Sequence, residues 1–361
     1  MHKKLCFLAM ASSLTAVAAP TTVNDSRAPA LMKTADSIDF FVDASFTYWY
    51  AKEDGLNIAE TATLSRIGVG NLPSESEIFK QSFGYKPGFK LGLGLESKDN
   101  WALGAEYTYY RSTNTTSKSA PSSIGGLSPG VWSMANWFLQ TVPTPGPRHK
   151  LLGTQISSTW HLGMDLGDLA VQRPFCITKT LEFSPFAGLR TVWLRQKMNI
   201  SLTQAAASFG SSTVLPPQPL VSYNSSHAWG IGPRFGSEMH CKLPMCFRIE
   251  GLVGGSLLYE NFTSVKHKEG KAATFVTLPS FEVNMGTYNC VRPVAEMALG
   301  FGWGKTFCQK YDIDLAATYD FSYFWGQNMM RSMLDELNDG VASGNNDLYF
   351  QGLTVTAAFK F

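Results

Sequence analysis

Ten stretches of this chain alternate apolar and polar side chains with a period of two, and that pattern limits the fold more than any other feature. In residues 42–50, Val42, Ala44, Phe46, Tyr48 and Tyr50 share one face, while Asp43, Ser45, Thr47 and Trp49 share the other. The same sorting recurs over residues 89–95, 101–109, 155–165, 182–190, 229–236, 247–260, 291–303, 311–322 and 349–361. A helix would scatter these residues around its axis, whereas a strand puts alternate side chains on opposite faces. Beyond the first 18 residues no apolar run reaches the roughly 18 residues of a membrane helix, so helical spans are excluded. Yet 13% of residues are aromatic, only 16% are charged, and there are 32 glycines. Such a chain must bury its apolar surface otherwise, and a closed barrel does so because each strand's backbone groups pair with its neighbours.

The expected fold is therefore all-β: a transmembrane, antiparallel, up-and-down β-barrel of about ten strands, or twelve if a long loop hides another hairpin. Long connections are expected over residues 51–83, 112–149, 197–226, 261–289 and 326–346, with short turns near Ser97, Gly167, Leu243 and Phe307. Long outer loops and short periplasmic turns are the asymmetry of outer-membrane barrels, and an even strand count leaves both ends in the periplasm. A soluble β-sandwich would share the alternation but has no need for tyrosine and tryptophan at strand ends, where membrane interfaces favour them. Two loop segments, 128–142 and 328–337, carry amphipathic helical spacing. They either fold inward as a constriction or cap the barrel rim, and the rim is the commoner outcome.

The first residues read as an export signal: Lys3 and Lys4, an apolar run over residues 5–16, then Ala16-Val17-Ala18 before cleavage. The expected organisation is signal peptide 1–18, periplasmic segment 19–38 and barrel 39–361, in a bacterial outer membrane. Without Lys3 and Lys4 the 30 basic residues become 28, equal to the 28 acidic ones. That balance argues against nucleic acid as a partner.

Charges on the inward faces form the main constellation. Arg190, Arg234, Arg248 and Arg292 share the lumen with Glu106, Glu238, Glu250, Glu296, Asp312, Asp314 and Asp320. Charges inside a barrel require hydration or partners, so they imply a water-filled pore or a narrow lumen in which they neutralise one another. For an open pore the expected lining is Lys90, Glu106, Arg190, Arg234, Arg292 and Glu296, selecting mainly by size. Five cysteines follow the signal: Cys176, Cys241, Cys246, Cys290 and Cys308. Cys241 and Cys246 flank a tight turn at Leu243-Pro244, and a symmetric hairpin would bring them within disulfide reach. Zinc through His240 and these cysteines fits no compact ligand spacing, so no metal site is expected. No nucleophile elbow, phosphate-binding loop or metalloprotease motif stands in a convincing context, so neither an enzyme nor a cofactor is expected. Phe361 ends an alternating strand in an aromatic residue, a pattern resembling the signal read by the barrel-assembly machinery.

Several motifs resemble one family. Tyr48-Trp49-Tyr50 with Glu53-Asp54-Gly55-Leu56, Phe183-Ser184-Pro185-Phe186-Ala187-Gly188-Leu189-Arg190, Gly230-Ile231-Gly232-Pro233-Arg234 and Phe359-Lys360-Phe361 are similar to the Legionella-type major outer membrane proteins, which include the porins of environmental chlamydiae. The resemblance implies an abundant, surface-exposed, porin-like barrel linked to host contact, and disulfide-linked envelope proteins as partners. The cysteine-rich N-terminal stretch of the true chlamydial proteins is absent. The expected function is passive diffusion of small hydrophilic solutes. The alternative is a structural or adhesive barrel with a sealed lumen whose outer loops bind host-surface ligands. Outer-membrane lipid, the assembly machinery and further copies of the chain are the remaining candidate partners.

Overall fold

The computed structural model describes residues 39–66, 71–97, 99–120, 130–133, 152–204, 207–209, 213–215, 219–271, 281–307, 311–339 and 346–361. The expected signal peptide, the segment 19–38, Cys308 and residues 134–142 of the first amphipathic segment lie outside them. Ten antiparallel strands close on themselves: β1 (Asp39–Glu53), β2 (Tyr85–Glu96), β3 (Ala102–Ser119), β4 (Leu152–Gln172), β5 (Leu181–Gln204), β6 (Pro219–Lys242), β7 (Phe247–Lys271), β8 (Tyr288–Phe307), β9 (Tyr311–Phe324) and β10 (Leu348–Lys360). Each pairs with its chain neighbours, and β1 pairs with both β2 and β10, so the barrel has no open edge. Each of the ten alternating stretches coincides with one of these strands, β3 starting one residue after Trp101 and β10 stopping one residue short of Phe361.

The lipid-facing surface follows from the alternation. Val42, Phe46, Leu91, Leu93, Leu189, Phe235, Val253, Leu299 and Phe301 point outward and are exposed. Aromatic rings bound this band on both sides. Phe40 stacks on Phe361 and Tyr311 on Phe359 at the periplasmic edge, while Tyr48 stacks on Tyr85 and Tyr323 on Tyr349 at the outer edge. From Phe40 to Tyr50 is ten residue steps, about 34 Å of strand, which a tilt of about 40° reduces to about 26 Å. That matches the apolar height of an outer-membrane barrel.

The seam closes at the last residue. Phe40 N–H donates to Phe361 C=O at 3.0 Å and Phe361 N–H to Phe40 C=O at 2.9 Å. Deleting Phe361 removes both bonds and one ring of the periplasmic girdle. The expected outcome is a lower yield of heat-modifiable, folded barrel in membranes, with Phe361→Tyr retaining the yield.

Three sequence expectations change. First, the long connections are partly strand. β5, β6 and β7 run 24, 24 and 25 residues, far more than the roughly 9–11 a tilted membrane strand needs, so the β3–β7 side projects beyond the lipid. Gly167 is mid-strand in β4, and the turn after β4 lies at residues 173–180 instead, including the two-residue strand Phe175–Cys176. Second, the expected loop 51–83 contains a hairpin, Asn57–Arg66 with Asn71–Lys80. Residues 130–133 form a strand beside it rather than helix: Ala59 is registered with Ser133, and Leu152 of β4 with Trp132 on the other side.

Third, the apolar face of β4 reverses. Leu169 and Val171 face lipid, whereas Ile156, Trp160, Leu162, Met164 and Leu166 point into the lumen and are buried. Val192, Leu194, Met198, Ile200 and Leu202 of β5 do the same. Above the membrane the outer wall meets water, so the apolar residues move to the inner face without any slip in register.

The inward residues of this projecting half form one packed core. Trp160, Met164, Met198, Ile200 and Leu202 join Tyr110 of the neighbouring β3, Trp49, Phe324 and Phe350 from β1, β9 and β10, and Leu56, Ile58 and Ala59 from the start of the hairpin. Helix α1 (Met329–Asp339) completes it from the second amphipathic segment. Asn328 caps the helix, its Oδ1 accepting from the Arg331 N–H at 3.0 Å. Met330 joins the main core, and Met329 and Met333 pack with Ala228 and Phe262 on the inner faces of β6 and β7. The helix therefore sits inside the lumen rather than capping the rim.

Candidate functional site

Below that core, toward the periplasm, the lumen is a cavity of about 520 Å³. Lys360, Glu96, Gln172 and Asp312 border it at the periplasmic mouth, and Trp49, Met164, Phe324 and Phe350 close it at mid-barrel. Its wall carries ten carboxylates: Asp43, Glu96, Glu106, Asp168, Glu238, Glu250, Glu296, Asp312, Asp314 and Asp320. Against them stand five Lys or Arg side chains, Lys90, Arg190, Arg234, Arg248 and Lys360, with His240 beside them. The lining is thus of mixed sign with an excess of carboxylates, where the sequence reading expected a mixed-sign lining selecting mainly by size.

Most of these charges are held in place by ion pairs. At the centre, Arg190 of β5 donates from Nε and Nη2 to the two oxygens of Asp168 on β4, both at 2.7 Å. Its Nη2 also reaches Glu296 of β8 at 2.7 Å, and Arg234 of β6 donates from Nε to the other Glu296 oxygen at 2.7 Å. Two guanidiniums thus interlock with two carboxylates drawn from four strands. Gly254 makes this span possible, because a Cβ there would lie 2.9 Å from Glu296 Oε1 and 3.1 Å from the Phe186 ring. Nearer the mouth, Arg248 of β7 grips Asp314 of β9 and also Glu250. It passes over Gly302 of β8, where a Cβ would meet the guanidinium at 2.5 Å. Lys360 bridges Glu96 at 2.7 Å and Asp39 at 3.3 Å.

A third group couples the cavity to its apolar ceiling. Lys90 lies 3.7 Å from Glu106 and 3.6 Å from Asp320, with its ammonium 5.3 Å from the Trp49 ring centroid. Asp320 accepts from Thr318 and Thr354 at 2.7 Å each, and Thr354 Oγ1 accepts from the Trp49 indole N–H at 3.0 Å. The ceiling is therefore held to the charged wall by a chain of directed bonds. No ion pair or hydrogen bond forms at the carboxylates of Asp43 and Glu238 among the described residues. An ionised carboxylate so placed needs water as its partner.

Of the expected pore-lining residues, Lys90, Glu106, Arg190, Arg234 and Glu296 border the cavity together. Arg292 does not. It points inward higher up, 3.8 Å from Glu260, donating to Cys290 Sγ and Met329 Sδ at 3.0 Å each, and so belongs to the packing of α1. Asp43 was missed: its position opposite the apolar residues of β1 placed it inside, but the isolated stretch held no hint of a shared cavity. The expected Cys241–Cys246 pair is not formed. The turn between β6 and β7 is a short helical turn, Pro244–Cys246, and the residue opposite Cys241 is Ile249. Cys176, Cys241, Cys246 and Cys290 are all free thiols. Among the described residues no group of three His, Cys, Asp or Glu is placed to hold a metal ion.

A closed ten-stranded barrel with an apolar outer band between two aromatic girdles defines a bacterial outer-membrane protein. The model of the Legionella pneumophila major outer membrane protein precursor family matches residues 35–361, and the chain belongs to that family. No curated protein matches the chain. Solved structures similar to it include the outer membrane protease OmpT from Escherichia coli, at 10% identity over 92% of this chain and 99% of that one, TM-score 0.40. Others are a Pseudomonas aeruginosa FadL homologue, at 8% identity over 90% of each chain, TM-score 0.28, and the P. putida toluene transporter TodX, at 9% over 91% and 90%, TM-score 0.22. At those values the likeness carries no argument about activity.

Proposed function

We propose that the chain is a porin-like channel for small hydrophilic solutes, preferring cations, whose passage is gated by the apolar core in the outer half of the lumen. The acidic cavity carries this reading. A lumen built only for strength would neutralise its charges, whereas Asp43 and Glu238 stand among further carboxylates with no cation paired to them among the described residues. A wall with more carboxylates than cations raises the local concentration of cations and repels anions. The second reading, a sealed surface barrel, draws on the depth of the core above the cavity.

Planar-bilayer recordings of the full chain across a salt gradient test the proposal. The expected result is small steps with a cation-selective reversal potential, moved toward zero by Asp43→Asn with Glu238→Gln. Anion selectivity, or an unchanged reversal potential in the double variant, would overturn the cation preference. Silence in the wild type and in a variant with a reduced ceiling would leave the sealed barrel as the reading.

A further inference from the structure

The outer wall carries a basic patch that the lumen chemistry does not use. On strands β3 to β7, the outward row Tyr109, Asp165, Trp193 and Trp229 lies at the level of the outer aromatic girdle. The next outward row is Arg111, Gly163, Arg195 and His227, and the one beyond it includes His161, Lys197 and Lys266. Each row rises about 7 Å along the strand, and neighbouring strands stand about 4.8 Å apart, so Arg111, Arg195, Lys197 and Lys266 form one compact field just above the rings. On the other five strands, the only outward Lys or Arg above the girdle among the described residues is Lys52, which is paired with Asp54 at 3.4 Å.

The patch is built rather than scattered. Asp165 accepts from Arg111 Nη2 at 2.7 Å and from Arg195 Nη2 at 2.9 Å, and the Tyr107 hydroxyl donates to it at 2.7 Å. Arg111 stacks over the Tyr109 ring at 4.1 Å and donates from Nη1 to the backbone carbonyls of Tyr110 and Met164. One carboxylate thus fixes two guanidiniums side by side. The Arg195 side chain remains 58% exposed, with donors free to point outward. No carboxylate among the described residues pairs with Lys197 or Lys266.

We infer that this face binds the phosphate groups of a phosphorylated lipid in the outer leaflet. The position selects the partner. Aromatic girdles sit at headgroup depth, so cations one and two rows above them lie where lipid phosphates lie, on a wall that faces sideways into the membrane. Fixed guanidiniums suit phosphate oxygens because they offer paired donors in one plane, and the flanking lysines add point charge. Acyl chains of the same lipid then run down the exposed apolar side chains below, such as Leu189 and Ile231.

The test uses the purified full chain and phosphatidylcholine vesicles doped with bisphosphorylated lipid A, or with lipid A stripped of both phosphates. Retained lipid is counted by native mass spectrometry after detergent extraction. Wild-type protein is expected to retain the bisphosphorylated form and not the stripped one. Arg195→Gln with Lys197→Gln and Lys266→Gln should weaken retention about a hundredfold, at roughly fivefold per cation near a charged surface. Lys52→Gln should change nothing, and Arg195→Lys should retain most of the binding. The replaced side chains lie on the outward face, away from the packed lumen, and heat-modifiable mobility checks that each variant is folded. Equal retention of stripped lipid A, wild-type retention by the folded triple variant, or full displacement by millimolar inorganic phosphate would overturn the inference.

Discussion

Replacing Arg190 with methionine is expected to be the most damaging single change in the barrel wall, lowering stability by about 3–5 kcal/mol. Arg190 is 3% exposed and bonds two carboxylates, Asp168 and Glu296, which are themselves almost wholly enclosed. The methionine fills much of the volume but leaves Asp168 with only Arg234, at 3.6 Å, as a partner. The cost arises mainly from that stranded carboxylate rather than from a lost attraction. Two companion variants separate these causes. Arg190→Met with Asp168→Leu removes both charges and should recover most of the loss, because desolvating an ion pair offsets most of its Coulomb gain. Glu296→Gln leaves the Arg190–Asp168 pair intact and should cost less than Arg190→Met. Urea unfolding of barrels refolded in vesicles measures all three, and a double variant no better than Arg190→Met would refute the argument.

The second large effect lies in the ceiling. Trp49→Ala is expected to raise single-channel conductance several-fold and to lengthen openings. Trp49 borders the cavity on one side and meets Tyr110 and Phe350 on the other, at ring-centroid distances of 5.9 and 6.0 Å. Its indole N–H is the final link from Asp320 through Thr354. Removing the ring lets water rise from the cavity into the apolar layer, and an apolar constriction conducts once it is wetted. Burying alanine for tryptophan in a closed core costs about 3–5 kcal/mol. Here one side borders the cavity rather than packed side chains, so a smaller stability loss is expected beside the larger conductance change. Trp49→Phe keeps a ring at the ceiling and should stay close to wild type in conductance while losing the bond to Thr354. Unchanged conductance in Trp49→Ala would show that the layer above it, from Trp160 to Met330, closes the lumen unaided.

Much of the wall was legible in the order of residues. Strand number, the lipid band and the inward position of Lys90, Glu106, Arg190, Arg234 and Glu296 all follow from a period of two, because a strand has only two faces. The phase change in β4 is legible too. Apolar residues occupy odd positions at 169 and 171 and even ones from 156 to 166, a change of phase that marks where the strand leaves the lipid. Taken alone, the even-numbered set reads as another lipid face. The two readings differ in what lies outside the wall, and alternation by itself carries no information about that.

Other features depend on strands far apart in the chain. The pairing of Arg190 with Glu296 crosses 106 residues and needs glycine at 254 on a strand between them. The fate of α1 was equally non-local. Met329, Met330 and Met333 mark an apolar helix face, but only the inner surfaces of β6 and β7 decide that this face turns into the lumen rather than onto the rim. Cys241 and Cys246 failed to pair because the turn takes three residues into a short helix and shifts the register, which two turn-flanking positions cannot reveal.

The sequence by itself determined that this chain is a membrane barrel, since ten alternating strands with aromatic rings at their ends, and no apolar helix among them, bury their apolar faces in lipid only by closing. Tertiary structure alone decided what the barrel encloses: a cavity with an excess of carboxylates beneath an apolar ceiling. The physical reason is that alternation assigns each side chain to a face. Which charges meet across the lumen, and which remain with water, depends on closure, on register across several strands, and on where glycine leaves room.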